Sequence, residues 1–213
     1  MSVPWAVIRE ERTALIELLE TLNPEEWATP SLCAGWTVQD VASHLAWAPA
    51  APATEVLGDL LRARLRPNRL NADSAVRHSA RGTDAILEQL RENAVRDAKP
   101  IGVPQNAVLV DAVVHAVDIR RPLDRPRAIP PEAFAPAARF CARTRWPASL
   151  MIGGNVRARI RGLRLVADDL DWAWGDGPEV HGSGEALMLV LTGRAVGAGE
   201  LSGPGAATLA RRL

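Results

Sequence analysis

Two side chains able to bind a metal ion lie four residues apart in the sequence, Asp111 and His115. On a helix they share one face, about 6 Å apart along the axis, which is a usual spacing for two ligands of one ion. His44, in a different apolar segment, could complete a set of two imidazoles and one carboxylate. Such a set leaves a coordination position open and suits zinc, nickel, cobalt or iron. Asp118, about one turn after His115, could orient a ligand residue without binding the metal itself.

The same residues could also have a purely structural role. An Asp-x-x-x-His pair is common by chance in helices, and a histidine beside an apolar stripe is often a satisfied core residue. Cys33 could be a fourth ligand or a redox switch, but a small buried apolar side chain is the simpler interpretation. His78 and His181 have no partner at metal-ligand spacing. Spacing alone favours the structural interpretation and leaves a metal site as the alternative.

Trp36 and Trp47 lie on either side of His44 in the sequence. Large aromatic side chains beside a buried helix either wall a pocket or belong to the core. A core role is the simpler interpretation for both, and a pocket wall is the alternative.

Helices must position the candidate ligands. Apolar residues recur at helical spacing from Trp5 to Leu22, and Thr37 with Asp40 forms a capping pair at the start of the His44 helix. Further amphipathic segments are predicted over Glu55–Arg66, about Ser74–Val95, and Asn106–Arg121. The last of these is rich in valine, so burial must stabilise it. The pattern predicts an antiparallel four-helix bundle.

Four prolines, at positions 122, 126, 130 and 131, separate this helical region from the rest of the chain. Beyond them, helices are predicted over Pro131–Arg145 and Gly184–Thr192, and strands over Val156–Ile160, Leu163–Ala167 and Glu179–His181. The expected class is therefore α+β, with a helical domain at residues 1–124 and a small α+β domain at residues 125–213.

Composition excludes several function classes. Lys+Arg and Asp+Glu both number 25 and no basic block occurs, so nucleic acid and acidic membrane surfaces are poor partners. Lys99 is the only lysine and tyrosine is absent, which removes phenol acid/base chemistry. Two cysteines without a C-x-x-C pair fit a reducing compartment, and the apolar runs are too short to span a bilayer. We expect a folded, cytoplasmic protein.

Three stretches, in order along the chain, carry a family signature. They are Trp27 with Pro30–Leu45 (PSLCAGWTVQDVASHL), Leu109–Leu123, and Gly162–Trp172 followed by Gly193-Arg194. Together they resemble the mycothiol-dependent maleylpyruvate isomerase family, part of the wider DinB-like superfamily. The resemblance extends over essentially the whole chain, and the combined motifs are far more specific than any one of them.

The resemblance implies a DinB-like four-helix bundle that holds a divalent metal, and a sterol-carrier-like α/β domain that covers the site. Carried over position by position, the metal ligands are His44, Asp111 and His115. The isomerase has a glutamate where this chain has Asp111, which is one methylene shorter. An arginine that contacts the substrate carboxylate in the isomerase matches Arg194. Zinc is the expected metal, with nickel, cobalt and iron as alternatives, and mycothiol is the expected cofactor or co-substrate.

The expected function is a metal-dependent isomerase or thiol S-transferase that uses a low-molecular-weight thiol. Its partners would be that thiol and a small electrophilic substrate, and the protein would be a monomer or a homodimer. Two alternatives stay open. One is a non-catalytic, metal-containing binding or regulatory module on the same scaffold. The other is metal-assisted hydrolysis, with water in place of the thiol.

Overall fold

The computed structural model describes residues 2–145, 148–197 and 199–213. The chain divides into two compact units, one ending at Pro126 and the other running from Arg127 to Leu213. Within the described ranges, none of the helices combines the length and the apolar character needed to cross a membrane.

The first unit contains seven helices among its described residues. They are α1 (Trp5–Leu19), α2 (Pro24–Trp27), α3 (Val38–Ala50), α4 (Ala53–Arg62), α5 (Pro67–Ser79), α6 (Thr83–Val95) and α7 (Gln105–Arg120). Helices α1 and α3 each pack against both α6 and α7, which forms the predicted four-helix bundle. Helices α4 and α5 pack on each other, and α5 lies against α3.

Local capping fixes where two of these helices begin. Asn23 caps α2 and exchanges hydrogen bonds with Glu26. Thr37 Oγ1 accepts from the Asp40 backbone N–H, and Asp40 Oδ2 accepts from the Thr37 backbone N–H. Because such a cap is worth about 1 kcal/mol, the start of α3, and with it the position of His44, is set by adjacent residues.

Helix α7 is buried on nearly all sides, as predicted from its valines. Its buried residues are Val108, Leu109, Val110, Ala112, Val113, Val114, Ala116, Val117, Asp118 and Ile119. Asp118 is the charged member of this set and has no exposed surface. Packing therefore stabilises a helix whose valines have low intrinsic helix propensity.

The predicted segment Ser74–Val95 is not one helix, so the prediction of a continuous element is wrong. Helix α5 ends at Ser79 and α6 begins at Thr83. Gly82, between them, has a φ of +87°, a conformation that glycine adopts without steric cost and that breaks the helix. The inward set of α6, Ile86, Leu87 and Leu90, is buried as predicted.

The second unit combines helices with a small sheet. Its elements are α8 (Pro131–Arg143), α9 (Val156–Arg159), β1 (Arg164–Ala167), β2 (Ala173–Trp174), β3 (Glu179–Gly182), α10 (Gly184–Leu191) and α11 (Ala206–Ala210). The strand order is β2-β1-β3, with β1 antiparallel to β2 and parallel to β3. Helix α10 packs on α8 and on the sheet. The α+β class is therefore confirmed.

The prediction of a strand over Val156–Ile160 is wrong, because Val156–Arg159 forms helix α9. Val156 and Ile160 are both buried, and residues four apart face the same side of a helix. The Asn155 side chain accepts from the Ala158 backbone N–H and caps the turn. The alternation of apolar residues is compatible with a strand as well as with a helical turn, and the Asn155 cap favours the helix.

Two glycines bring separate backbone segments into contact beside α9. A Cβ placed on Gly153 would lie 1.8 Å from the Thr192 carbonyl oxygen. A Cβ placed on Gly193 would lie 2.2 Å from the Gly153 carbonyl oxygen. Both glycines have positive φ, so the loop before α9 and the end of α10 meet in a way that only glycine permits.

Candidate metal centre

Helices α3 and α7 bring the three predicted ligands together. His44 Nε2 lies 3.6 Å from Asp111 Oδ1, and His115 Nε2 lies 3.4 Å from the same oxygen. One donor atom from each residue lies within 4.8 Å of the other two. We call these three residues the α3–α7 cluster.

The spacing inside the α3–α7 cluster fits a shared cation better than it fits hydrogen bonds. Separations of 3.4 and 3.6 Å are longer than a good N–H···O hydrogen bond. Two ligands of one tetrahedral ion, with bonds of 2.0–2.1 Å, lie about 3.4 Å apart. The Asp111 side chain keeps 40% of its surface exposed, so the shared oxygen is accessible to an incoming ion. The residues present therefore fit a divalent metal.

Within the described chain, His44 is buried with one of its two ring nitrogens unpaired. Its side chain is buried, and its Nδ1 has no hydrogen-bond partner among the described residues. A buried polar atom without a partner costs free energy, and such exceptions often mark functional sites. His44 is therefore not the satisfied core histidine of the alternative interpretation.

Asp118 fixes the orientation of His115. Its Oδ2 lies 2.8 Å from His115 Nδ1, and a carboxylate can only accept, so Nδ1 carries the proton. In the neutral imidazole the lone pair is then on Nε2, which faces Asp111. Carboxylate–histidine pairs of this kind position metal ligands in many proteins. The structure places Asp118 where the sequence suggested an orienting role.

Cys33 contacts the same carboxylate oxygen of Asp118 as His115 does. Its Sγ lies 3.1 Å from Asp118 Oδ2 and 3.6 Å from His115 Nδ1. The Leu32 backbone N–H donates to the Asp118 carbonyl oxygen at 3.1 Å, so the loop before α3 is attached to α7. Cys33 is only partly buried, and its thiol belongs to a polar network, which the interpretation as a plain apolar residue did not include.

Trp36 lies beside the α3–α7 cluster. Its ring centroid is 5.5 Å from that of His44 and 6.4 Å from that of His115. Trp47, by contrast, is buried and stacks on His78 with centroids 5.1 Å apart. Of the two tryptophans, Trp36 flanks the candidate ligands and Trp47 belongs to the core.

The electrostatics of the α3–α7 cluster favour an anionic Asp111. Removal from water would raise the pKa of this carboxyl, but polar and electrostatic interactions with the His115 and His44 imidazoles hold it well below its usual range. Burial would lower the pKa of His115, but its bonds to Asp111 and Asp118 outweigh this and raise it. Asp111 is thus a carboxylate at neutral pH, the form that binds a cation.

His78 and His181 are paired with carboxylates outside this cluster. His78 Nε2 lies 3.0 Å from Glu55 Oε1. His181 lies in the second unit, where its two nitrogens are 3.1 Å from Asp168 Oδ1 and 3.0 Å from Glu179 Oε2. Neither histidine belongs to the groups of donor atoms close enough to share an ion in the described chain.

Arg194 lies in the second unit, after helix α10. Its Nη1 donates to the Thr192 carbonyl oxygen at 3.2 Å. The role of Arg194 toward a substrate carboxylate stays a prediction.

Comparison with known proteins supports the resemblance found in the sequence. The family model of the mycothiol maleylpyruvate isomerase N-terminal domain matches residues 8–120. No curated protein sequence matches the chain significantly.

Two solved structures share the fold, those of mycothiol-dependent maleylpyruvate isomerase and of its histidine-to-alanine variant. Their TM-scores are 0.58 and 0.60, each at 16% identity, covering 94% of this chain and 91% of the other. Because the family model spans more than half of the sequence and includes the whole α3–α7 cluster, this chain belongs to the mycothiol maleylpyruvate isomerase N-terminal domain family.

Proposed function

We propose that this protein is a metal-dependent enzyme that uses mycothiol as cofactor or co-substrate, as an isomerase or a thiol S-transferase. His44, Asp111 and His115 would hold the metal, zinc first and nickel, cobalt or iron as alternatives. The observation that carries the proposal is the meeting of two imidazole nitrogens at one carboxylate oxygen, 3.6 and 3.4 Å away. Family membership supports the choice of thiol.

A divalent ion at this position would lower the pKa of a thiol and so supply a nucleophile at neutral pH. The protein contributes the arrangement around it. Asp118 keeps the His115 Nδ1 proton in place, so that Nε2 is free to act as a ligand. Trp36 places an aromatic ring beside the two imidazoles.

Addition of the thiol to an activated double bond, rotation and loss of the thiol would give isomerisation. A transferase would stop after addition or substitution. Both reactions need the same thiolate, so the ligands alone do not separate them. Arg194 would bind an acidic electrophile, and Arg194→Gln is then expected to raise KM for an acidic substrate more than for a neutral one.

The test combines metal content with turnover. Purified protein is expected to contain about one divalent ion per chain, and His44→Ala and His115→Ala are expected to lose it. His78→Ala is the matched control, because it removes a buried histidine of the same unit outside the cluster and should keep the metal. Metal that does not depend on His44 or His115 would contradict the proposed site.

Turnover is then measured with small electrophiles, with and without mycothiol. Mycothiol-dependent conversion that is lost in His115→Ala supports the enzyme. Conversion at the same rate without mycothiol would indicate hydrolysis. Bound metal with no conversion of any electrophile would favour the non-catalytic binding module.

A further inference from the structure

The second unit contains a cleft lined by arginines. It has a volume of about 900 Å³ and lies among the end of α8, helix α9 and the turn after β2. Four arginines line it, namely Arg143, Arg145, Arg157 and Arg161. Asp176 is the one acidic residue among the lining residues. The cleft therefore has an excess of positive charge in a chain whose formal net charge is zero.

In the described part of the chain, these guanidinium groups lack the ion pairs that several other arginines form. Arg9 pairs with Asp97 at 2.8 Å, and Arg164, close by in the second unit, pairs with Glu179 at 3.5 Å. Within the described residues, the four cleft arginines form neither an ion pair nor a side-chain hydrogen bond with the protein. Each guanidinium keeps five N–H donors in a planar fork that matches carboxylate and phosphate groups.

The cleft also has an apolar and aromatic part. Ala142, Ile160 and Leu163 contribute apolar lining, and Trp174 adds an aromatic ring. The Arg143 guanidinium carbon lies 5.6 Å from the centroid of the Trp174 ring, within cation–π range. A ligand could thus bury a carbon skeleton or a ring as well as its charges.

Backbone packing fixes one wall of the cleft. Gly175 has a φ of +85°, and a Cβ placed on it would lie 2.4 Å from the Leu163 carbonyl oxygen. The turn after β2 therefore lies directly against the residue that precedes β1. Trp174 and Asp176, on either side of Gly175, are held by this contact, so this wall is formed before a ligand arrives.

We propose that this cleft binds a small organic anion with several negative charges, carried by carboxylates or phosphate esters, next to an apolar or planar part. Like-signed groups around a cleft focus the electrostatic potential and attract the opposite charge. A volume of about 900 Å³ is in the range of small-molecule sites. The proposal goes beyond the α3–α7 cluster and does not depend on thiol chemistry.

The test is isothermal titration calorimetry of the full chain with citrate, AMP and ATP at low salt. Saturable binding at one site per chain is expected for at least one probe. Tighter binding of citrate would indicate that the ligand's charges are carboxylates. Tighter binding of the nucleotides would indicate that they are phosphate esters. The double variant Arg157→Gln/Arg161→Gln is expected to bind the preferred probe about tenfold more weakly or worse, because two charge-assisted contacts are lost.

The charge-matched control is the double variant Arg139→Gln/Arg211→Gln. Both arginines are exposed in the same unit but do not line the cleft. This control should bind within about threefold of the parent protein, and circular dichroism checks that all variants fold. Equal weakening in both double variants would overturn the proposal, since it would show only long-range attraction. So would the absence of saturable binding for all three probes, or tighter binding of longer single-stranded oligonucleotides.

Discussion

Two groups of histidine and carboxylate lie in the first unit, and they differ in how their polar atoms are used. In the α3–α7 cluster, two imidazoles face one carboxylate oxygen at distances longer than hydrogen bonds. The second group, which we call the α4–α5 clamp, comprises Glu55, Asp59, Ser74, Arg77 and His78. In the clamp, Glu55 Oε1 accepts from the Trp47 indole at 3.2 Å and lies 3.0 Å from His78 Nε2.

Asp59 is the other carboxylate of the clamp, and its oxygens are also satisfied. Oδ1 accepts from Arg62 at 2.7 Å, and Oδ2 accepts from Ser74 at 3.0 Å and from Arg77. The clamp therefore joins α4 to α5 with ordinary hydrogen bonds and ion pairs. The comparison teaches that a buried histidine near a carboxylate is not itself a site. What distinguishes the α3–α7 cluster is an orphaned nitrogen on His44 and an accessible, incompletely bonded oxygen on Asp111.

The largest expected difference between the two regions is in metal affinity, when one aspartate of each is changed to asparagine. Asp111→Asn removes the negative charge of the candidate ligand that both histidines face, and we expect metal affinity to fall by about a thousandfold or more. Asp59→Asn makes the same change in a buried network without a ligand role and should leave metal affinity unchanged. Competition with a chromophoric chelator measures both. Similar losses in the two variants would remove the distinction between the regions.

A smaller effect on the metal is expected from Asp118→Asn. The substitution keeps the side-chain shape but removes the charge that holds the His115 Nδ1 proton. Loss of such a partner typically costs about 10–100-fold in metal affinity. Glu55→Gln makes the same change beside His78 and serves as the control. A metal affinity for Asp118→Asn equal to that of the parent would show that His115 needs no orienting partner.

The order of the two variants should reverse for stability, with Asp59→Asn losing more than Asp111→Asn. Asp59→Asn leaves the buried Ser74 hydroxyl and the two arginines with a weaker, neutral partner, and we expect a loss of about 1–3 kcal/mol in the free energy of unfolding. Urea denaturation of metal-free protein measures this loss of unfolding free energy. Asp111→Asn, compared in the same metal-free state, should cost less. An Asp59→Asn protein as stable as the parent would mean that the clamp contributes little.

The smallest effect is a pH dependence of stability at the clamp. Burial lowers the pKa of His78 below its usual value, and the charges of Arg81 and Arg77 lower it further against the opposing effect of Glu55. The unfolded chain therefore binds a proton first as the pH falls below about 6.5. Stability should decrease through this window by up to about 1 kcal/mol more in the parent protein than in His78→Gln. Denaturation curves between pH 8 and 5.5 that change in parallel would contradict this.

The sequence predicts the first unit well because its signals are local. Capping residues such as Thr37 and Asp40 act within one helical turn, and the burial of α7 follows from its apolar residues. The three candidate ligands could also be named from the sequence, since spacing placed Asp111 and His115 on one face, His44 offered a third donor from another apolar segment, and the family resemblance pointed to the same residues. The distances between their donor atoms could not be predicted, because these distances depend on how α3 packs against α7.

The network behind His115 needed the tertiary structure. Cys33 reaches Asp118 only because its loop folds back onto α7, which no local pattern indicates. The arginine cleft was invisible for a similar reason, since its residues come from separate elements with no common period. In the second unit, the misassigned strand at Val156 shows that a short alternation is ambiguous without its cap.

The close approach of Gly153 and Gly193 has a consequence for mutational scans of this protein. Any side chain at either position would force two main chains apart, so both positions should tolerate no substitution whatever the protein does. Gly193 directly precedes Arg194, and sensitivity there would be easy to mistake for proximity to a substrate. Intolerance at Gly193 reports the geometry of the main chain, and only changes to the Arg194 side chain itself report on binding.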